Sequence, residues 1–330
     1  MKIKDKARLY RELAKLLGAS FPMDKSIAML LGQQPSSGRR AFLEGLRQGF
    51  AGNLGFSEAM RIYNRDLATG LELNLIESGE RSGRLAEACQ HLAHYFETWD
   101  KGIRAARGAM VYPLVLLHMG IIIPEIVRQP LLNSMGKETH AAPAILWRLV
   151  IFWALLLILR FVWRSLSRRA ATDESTDRLL NLLPLIGSVR QHWALARFCQ
   201  VFHSGLLAAM RISECLCMAG EASQSGILLK GGTQAAADLE LGRTLTEAME
   251  FSRSFPRHFV TSIATAEAAG GLDTEMARWA TAETDYAAEA QKNAAELYPK
   301  ALYFCVVAYV GWRVVAFFMD YYGSMQDMLH

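Results

Sequence analysis

Three stretches of the chain are apolar enough, and long enough, to restrict every other choice the chain can make. Residues 109–127 hold no Lys or Arg, residues 145–163 are uninterrupted by charge from Leu149 to Leu159, and residues 301–319 carry one charge, Arg313. At about 1.5 Å per residue, each matches the roughly 30 Å hydrocarbon core of a bilayer. All three are therefore expected to be transmembrane helices rather than buried core helices. Arg148 and Arg160 stand near the two ends of the second run, where arginine can snorkel to the interface, and Trp147 and Trp163 suit the same depth. Arg313 is costly in lipid and has no acidic neighbour in its own helix, which points to an acid on another helix or another subunit; it is the candidate intramembrane contact. The remaining composition is that of soluble mass attached to a few spans. It is 52% hydrophobic and 21% charged with a mean hydropathy of +0.11, too apolar for disorder and too polar for a transporter of many spans. Five cysteines without a CxxC give neither a disulfide framework nor a zinc ribbon. The charged opening of the chain has no apolar h-region before residue 20, so no signal peptide is expected.

The basic residues orient the spans. Lys101, Arg104 and Arg107 precede the first, and Arg164, Arg168, Arg169 and Arg178 follow the second. The segment between these spans has only Arg128 and Lys137, and residues 320–330 have no Lys or Arg. The positive-inside rule then places residues 1–108 and 164–300 in the cytoplasm, and the loop 128–144 and tail 320–330 outside.

The two cytoplasmic segments repeat one another. At a shift of 189 residues, Arg8-Leu9 meets Arg197-Phe198, and Asp24 meets Ser213, both residue types that cap helices. At the same shift, Phe56-Ser57-Glu58-Ala59-Met60 meets Leu245-Thr246-Glu247-Ala248-Met249, a hydroxyl before a Glu at a helix start. After a two-residue adjustment, Glu80, Gly83 and Leu85 meet Glu267, Gly270 and Leu272, and an apolar stripe follows in each copy: Leu85, Cys89, Leu92, Trp99 against Leu272, Met276, Trp279, Tyr286. Spacings of four, three and seven residues are those of one helix face. Each helix then reaches Tyr-Pro, Tyr112-Pro113 and Tyr298-Pro299, at the mouth of a span. Glu80 and Glu267 are read as standing just before the long helices, where a carboxylate favours the positive helix end. Gly83 and Gly270 supply either close packing or a positive φ. The segments are rich in helix formers, so the fold class is all-α: a membrane protein with two repeated cytoplasmic helical bundles and three transmembrane helices. The second span has no counterpart in the repeat, and serves to return the chain so that both bundles lie on one side.

This order resembles the PilC/GspF family of inner-membrane platform proteins of type II secretion and type IV pilus systems. The residues that carry the resemblance are Gly79-Glu80-Arg81-Ser82-Gly83-Arg84-Leu85, similar to the family's GExSGxL signature, with Tyr112-Pro113, and in the second copy Glu267, Gly270, Leu272 and Tyr298-Pro299. It departs from the pattern at Ala266 and Ala269, which replace a Gly and a Ser, and at Ser20 and Ala209, where the family often has Gly. The resemblance implies a multi-pass protein of the bacterial inner membrane that couples a cytoplasmic hexameric ATPase to the assembly of pilins or pseudopilins. Its implied partners also include other inner-membrane assembly proteins, membrane lipid and further copies of itself, but no nucleic acid.

The residues themselves offer little catalytic chemistry. GxxxxGK[ST] is absent, and Gly226-Ile227-Leu228-Leu229-Lys230-Gly231-Gly232-Thr233 has its lysine before the glycine pair. HExxH, GxSxG and GxGxxG are missing. Glu87, His91 and His94 share a helix face, better read as solvated than as a zinc site for want of a fourth ligand. No enzyme activity and no cofactor are expected. The competing reading is a small oligomeric transporter or channel with regulatory bundles. The topology is testable with reporter fusions after Arg169 and at His330: opposite compartments are expected, and a shared compartment contradicts the three-span arrangement.

Overall fold

The computed structural model of the protein describes residues 1–134 and 141–327. The parts of the expected loop and tail at 135–140 and 328–330 lie outside the described residues. The fold is all-α, with no strand among the described residues. The first copy comprises α1 (Ile3–Gly18), α2 (Met23–Gly32), α3 (Ser37–Ala51), α4 (Phe56–Tyr63), α5 (Gly70–Arg81) and α6 (Leu85–Ser134). After α7 (Ala141–Arg169) and the short α8 (Glu174–Asn181), the second copy repeats the order as α9 (Ile186–Leu207), α10 (Ile212–Ala222), α11 (Gly226–Glu240), α12 (Leu245–Ser252), α13 (Arg257–Ala269) and α14 (Leu272–Asp327).

Two compact units result, one of Met1–Gly102 with Ser167–Gln291 and one of Ile103–Leu166 with Lys292–His330. In the first, both copies share a continuous apolar core. Tyr10 stacks on Phe96 at 5.9 Å, and Phe198 on Phe202 at 5.9 Å. Tyr95 meets Trp193 edge-on at 5.0 Å, joining copy to copy. One buried polar cluster belongs to the first copy alone: Lys6 pairs with Glu72, which also accepts from the Tyr10 hydroxyl at 2.8 Å and closes a capping box with Thr69. At the shift of 189, Lys6 and Tyr10 become Leu195 and Cys199, so the second core carries apolar side chains there.

The second unit holds three helical segments long and apolar enough to cross a membrane. Gly120 lets the first and third spans approach, since a Cβ there would stand 2.5 Å from Val310, and His118 meets Phe152 of the second span edge-on at 5.9 Å. Most of their large side chains, such as Trp147, Leu155, Phe161 and Phe304, remain exposed on the protein itself, which is the surface a lipid solvent covers. The amphipathic helices and the spans are fused: α6 and α14 each run on without interruption, 50 and 56 residues long. Pro113 and Pro299 do not break them, although proline removes a bond to residue i−4 and crowds its carbonyl.

The helix starts differ from expectation. Asp24 and Ser213 are not N-caps; the helices begin two residues earlier than such caps would allow, with Pro22 and Arg211 in that position, leaving both residues inside the first turn. The apolar stripe of the long helices is buried at Cys89, Leu92, Met276 and Trp279 but emerges at Tyr286.

The repeat extends to backbone conformations that composition does not reveal. Ser20 and Ala209 follow α1 and α9 with φ +60° and +50°, and Asn53 and Gly242 match at +56° and +88°. A side chain in this left-handed region costs about 1–2 kcal/mol, partly offset on replacement by the extra unfolded-state freedom of glycine. Ser20→Gly and Ala209→Gly should each raise stability by about 0.5–1 kcal/mol, seen as a higher melting temperature of the full chain in detergent; a lowered one contradicts these turn conformations.

Candidate functional site

The ExxGxL turn is built identically in the two copies. At the end of α5 the Arg84 N–H donates to the Gly79 carbonyl at 2.8 Å and the Gly83 N–H to the Glu80 carbonyl at 3.2 Å. At the end of α13, Gly271 donates to Ala266 at 2.9 Å and Gly270 to Glu267 at 3.3 Å. This is the paired closure of a Schellman turn, and it sets the central residue in the left-handed region. Gly83 and Gly270 have φ +70° and +69°, and a Cβ on either would meet nothing within 4 Å. Their requirement is thus conformational, not one of space. Gly79 is the reverse case: a Cβ there would lie 2.6 Å from that of Ala88, so its role is the close approach of α5 to α6. Leu85 and Leu272 open the long helices and pack, half-buried, against the core.

Glu80 and Glu267 act on a different helix from the one expected. Neither carboxylate addresses the long helix that follows it. Glu80 turns back to the start of α4, accepting from the Phe56 N–H at 2.6 Å, the Ser57 N–H at 3.0 Å and the Ser57 hydroxyl at 2.6 Å. Glu267 does the same for α12, accepting from the Leu245 N–H at 2.8 Å, the Thr246 N–H at 2.9 Å and the Thr246 hydroxyl at 2.6 Å. A helix leaves its first four N–H groups without partners and carries a partial positive charge at that end. One distant carboxylate satisfies two of those donors, and so bolts α4 to α5 and α12 to α13. Partial burial pushes the Glu267 pKa up, but the bonds from Thr246 and Leu245 outweigh it and hold the group below the usual carboxylate range.

The copies differ in their reserves. Gly55, the residue before α4, has no side chain to cap with, and a Cβ there would stand 2.7 Å from the Glu80 carboxylate. Thr244 holds the same place before α12 and closes its own capping box with Glu247. The participation of Ser57, Thr246 and Gly55 was not read from the sequence. A signal existed, since the hydroxyl and the glutamate recur together in both copies.

The other sequence-derived residues are placed apart from this turn. Pro113 and Pro299 are buried, Tyr112 and Tyr298 exposed, and Tyr112 stacks on Tyr303 at 5.9 Å. Arg313 is half-buried within α14. The string Gly226–Thr233 is helical, lying in α11, so it forms no phosphate-cradling loop. Glu87, His91 and His94 border a cavity of about 130 Å³ together with His203 of α9 and Thr281 of α14. Desolvation, with the charge of neighbouring His91, lowers the His203 pKa.

A family model described as type II secretion system (T2SS), protein F, matches residues 9–127 and 198–321, one match for each copy and its span. Among curated relatives, a type 4 fimbrial assembly protein PilC of Pseudomonas putida is 26% identical, covering 97% of this chain and 84% of its own length. A type II secretion system protein F of Xanthomonas campestris pv. campestris is 25% identical over 88% of this chain and 75% of its own. A type IV pilus assembly protein PilC of Thermus thermophilus is 26% identical over 84% and 71%.

Loss of the carboxylate should therefore cost the first copy more than the second. Glu80→Ala strands three donors and is expected to destabilise by about 2 kcal/mol, Glu267→Ala by about 1 kcal/mol because the capping box remains. The Glu267 contribution is complete above its ordinary pKa of 4.5 and is lost as pH falls through the lower folded value. Glu267→Gln should flatten that acid limb. Denaturation of the full chain in detergent between pH 3 and 7 reads both effects; equal losses for the two alanine variants, or an unchanged acid limb, contradict the assignment.

Proposed function

The chain belongs to the type II secretion system protein F family, and on that premise we propose that it is a non-catalytic platform of the bacterial inner membrane. In this reading it couples a cytoplasmic hexameric ATPase to the assembly of pilins or pseudopilins, alongside other inner-membrane assembly proteins. Both bundles are cytoplasmic, and the spans contact filament subunits. The observation that carries the reading is the continuity of α6 and α14. Each helix begins at an ExxGxL turn, is cemented in the bundle core through its first turns, and ends as a span. At about 1.5 Å per residue the two helices are roughly 75 and 84 Å long, more than twice the hydrocarbon thickness. The backbone of each helix passes from the bundle into the span as one unbroken helical rod, as a coupling role asks of the chain. The ExxGxL residues serve this role by holding the rod to the bundle, and the sequence supplies no phosphate-binding loop with which the chain could generate the force itself.

Deleting the gene should abolish surface filaments or secretion while prepilin is still inserted and processed, because processing requires neither bundles nor rods. The purified protein should hydrolyse no ATP on its own. Filaments at normal levels without the gene, nucleotide hydrolysis by the pure protein, or ion conduction in liposomes would each overturn the reading.

A further inference from the structure

The two copies pack one-way, and this leaves one face of the first copy without its counterpart. Helix α5 of the first copy docks on α9 and α10 of the second. Asn74 donates to the Met218 carbonyl at 3.0 Å, Arg81 pairs with Glu214 at 2.8 Å, and the Tyr95 ring and hydroxyl cover Trp193 and Arg197. Among the described residues the reciprocal docking of α13 on α1 and α2 is not made. Thr261 and Thr265 of α13, equivalent to the buried Asn74 and Ser78, are exposed. The α9 face that receives the first copy runs through Trp193, Arg197, Gln200 and Ser204, and its equivalent 189 residues earlier is Lys4, Arg8, Arg11 and Lys15 of α1. All four are exposed and lie on one stripe at spacings of four, three and four. Three of these positions are thus aromatic or neutral in α9 (Trp193, Gln200, Ser204) and basic in α1 (Lys4, Arg11, Lys15), while the fourth is arginine in both, buried under Tyr95 as Arg197 and exposed as Arg8.

We propose that this α1 stripe is a docking surface for an acidic face of a second, different protein. Charge decides the partner. Arg8 and Arg11 bond Glu12 at 2.8 Å and Glu97 at 2.6 Å in exposed pairs, which are worth little and exchange readily. Lys4 and Lys15 have no ion pair among the described residues. A second copy docking head-to-tail would offer α13, whose exposed residues include Arg257 and His258 and whose single carboxylate, Glu267, is engaged with α12; like charges would oppose that contact. A lipid surface fits poorly as well, because a membrane-surface helix needs a free apolar face, and that of α1 (Leu9, Tyr10, Leu13) is fully buried in the bundle. Complementary carboxylates on a protein remain, and such a contact gains orientation and association rate from the stripe. The inference goes beyond the platform reading and stands whether or not that reading does.

A photoreactive residue placed at Lys15 of the full chain, in membranes of the organism that carries the gene, tests it at 50 and 500 mM salt. The expected result is a cross-link to a different protein at a peptide rich in Asp and Glu, reduced about tenfold at high salt and in the Lys4→Glu/Arg8→Glu variant. Lys4→Gln, at a site with no ion pair to lose, gives the same direction of change without a folding liability. A cross-link to a second copy, to lipid only, or to a peptide without acidic residues overturns the proposal, as do no cross-link and a cross-link indifferent to salt and charge.

Discussion

A carboxylate reaching back to the start of another helix holds each half of this protein together. Glu80 and Glu267 are separated from their target helices by more than twenty residues, yet each satisfies two backbone donors and a hydroxyl there. Around that contact the rest of the turn becomes necessary. The residue three places on must be left-handed to close α5 or α13, and where Gly79 stands α6 comes close to α5 at Ala88. The signature is thus a joint: it sets where the membrane-bound rod begins and fixes it to the bundle.

The rods then link two environments that obey different rules. In the bundle, stability comes from apolar burial and satisfied caps; in the spans the backbone bonds are internal to the helix and the side chains are left to lipid. One helix serves both, running on through Pro113 in α6 and Pro299 in α14. Duplication supplies two such rods, and the unpaired second span, α7, lets the chain return to repeat the bundle. The copies have diverged in a way that follows their surroundings. The Lys6–Glu72–Tyr10 cluster has become apolar in the second copy, and the charged pair Arg11–Glu97 corresponds to the neutral pair Gln200–Thr284.

Much of this is legible in the residues, and the remainder has identifiable physical causes. The three spans, the all-α class and the duplication follow from hydropathy and from matching residues at a constant offset. The glycine requirement at Gly83 and Gly270 was recognisable, though whether it reflected space or φ needed the backbone. The target of Glu80 was missed because proximity in sequence favoured the adjacent helix start, whereas the chain folds back over α5 and presents the more distant one. Asp24 and Ser213 misled for a related reason. Composition identifies a capping residue type but not the turn that precedes it, and here the helices after Ser20 and Ala209 start two residues early. The one-way packing of the copies could not be read at all, since equivalent positions carry no label of which copy will cover them.

The account stands or falls on the glutamates acting inside the fold. The most direct measurement is a double-mutant cycle between Glu80 and Ser57, read as unfolding free energy of the full chain. Ser57→Ala should cost about 1 kcal/mol with Glu80 in place and close to nothing once Glu80→Ala has removed the acceptor. The same cost in both backgrounds would mean that the two residues do not meet, and that the signature glutamate is held for a partner and not for the fold.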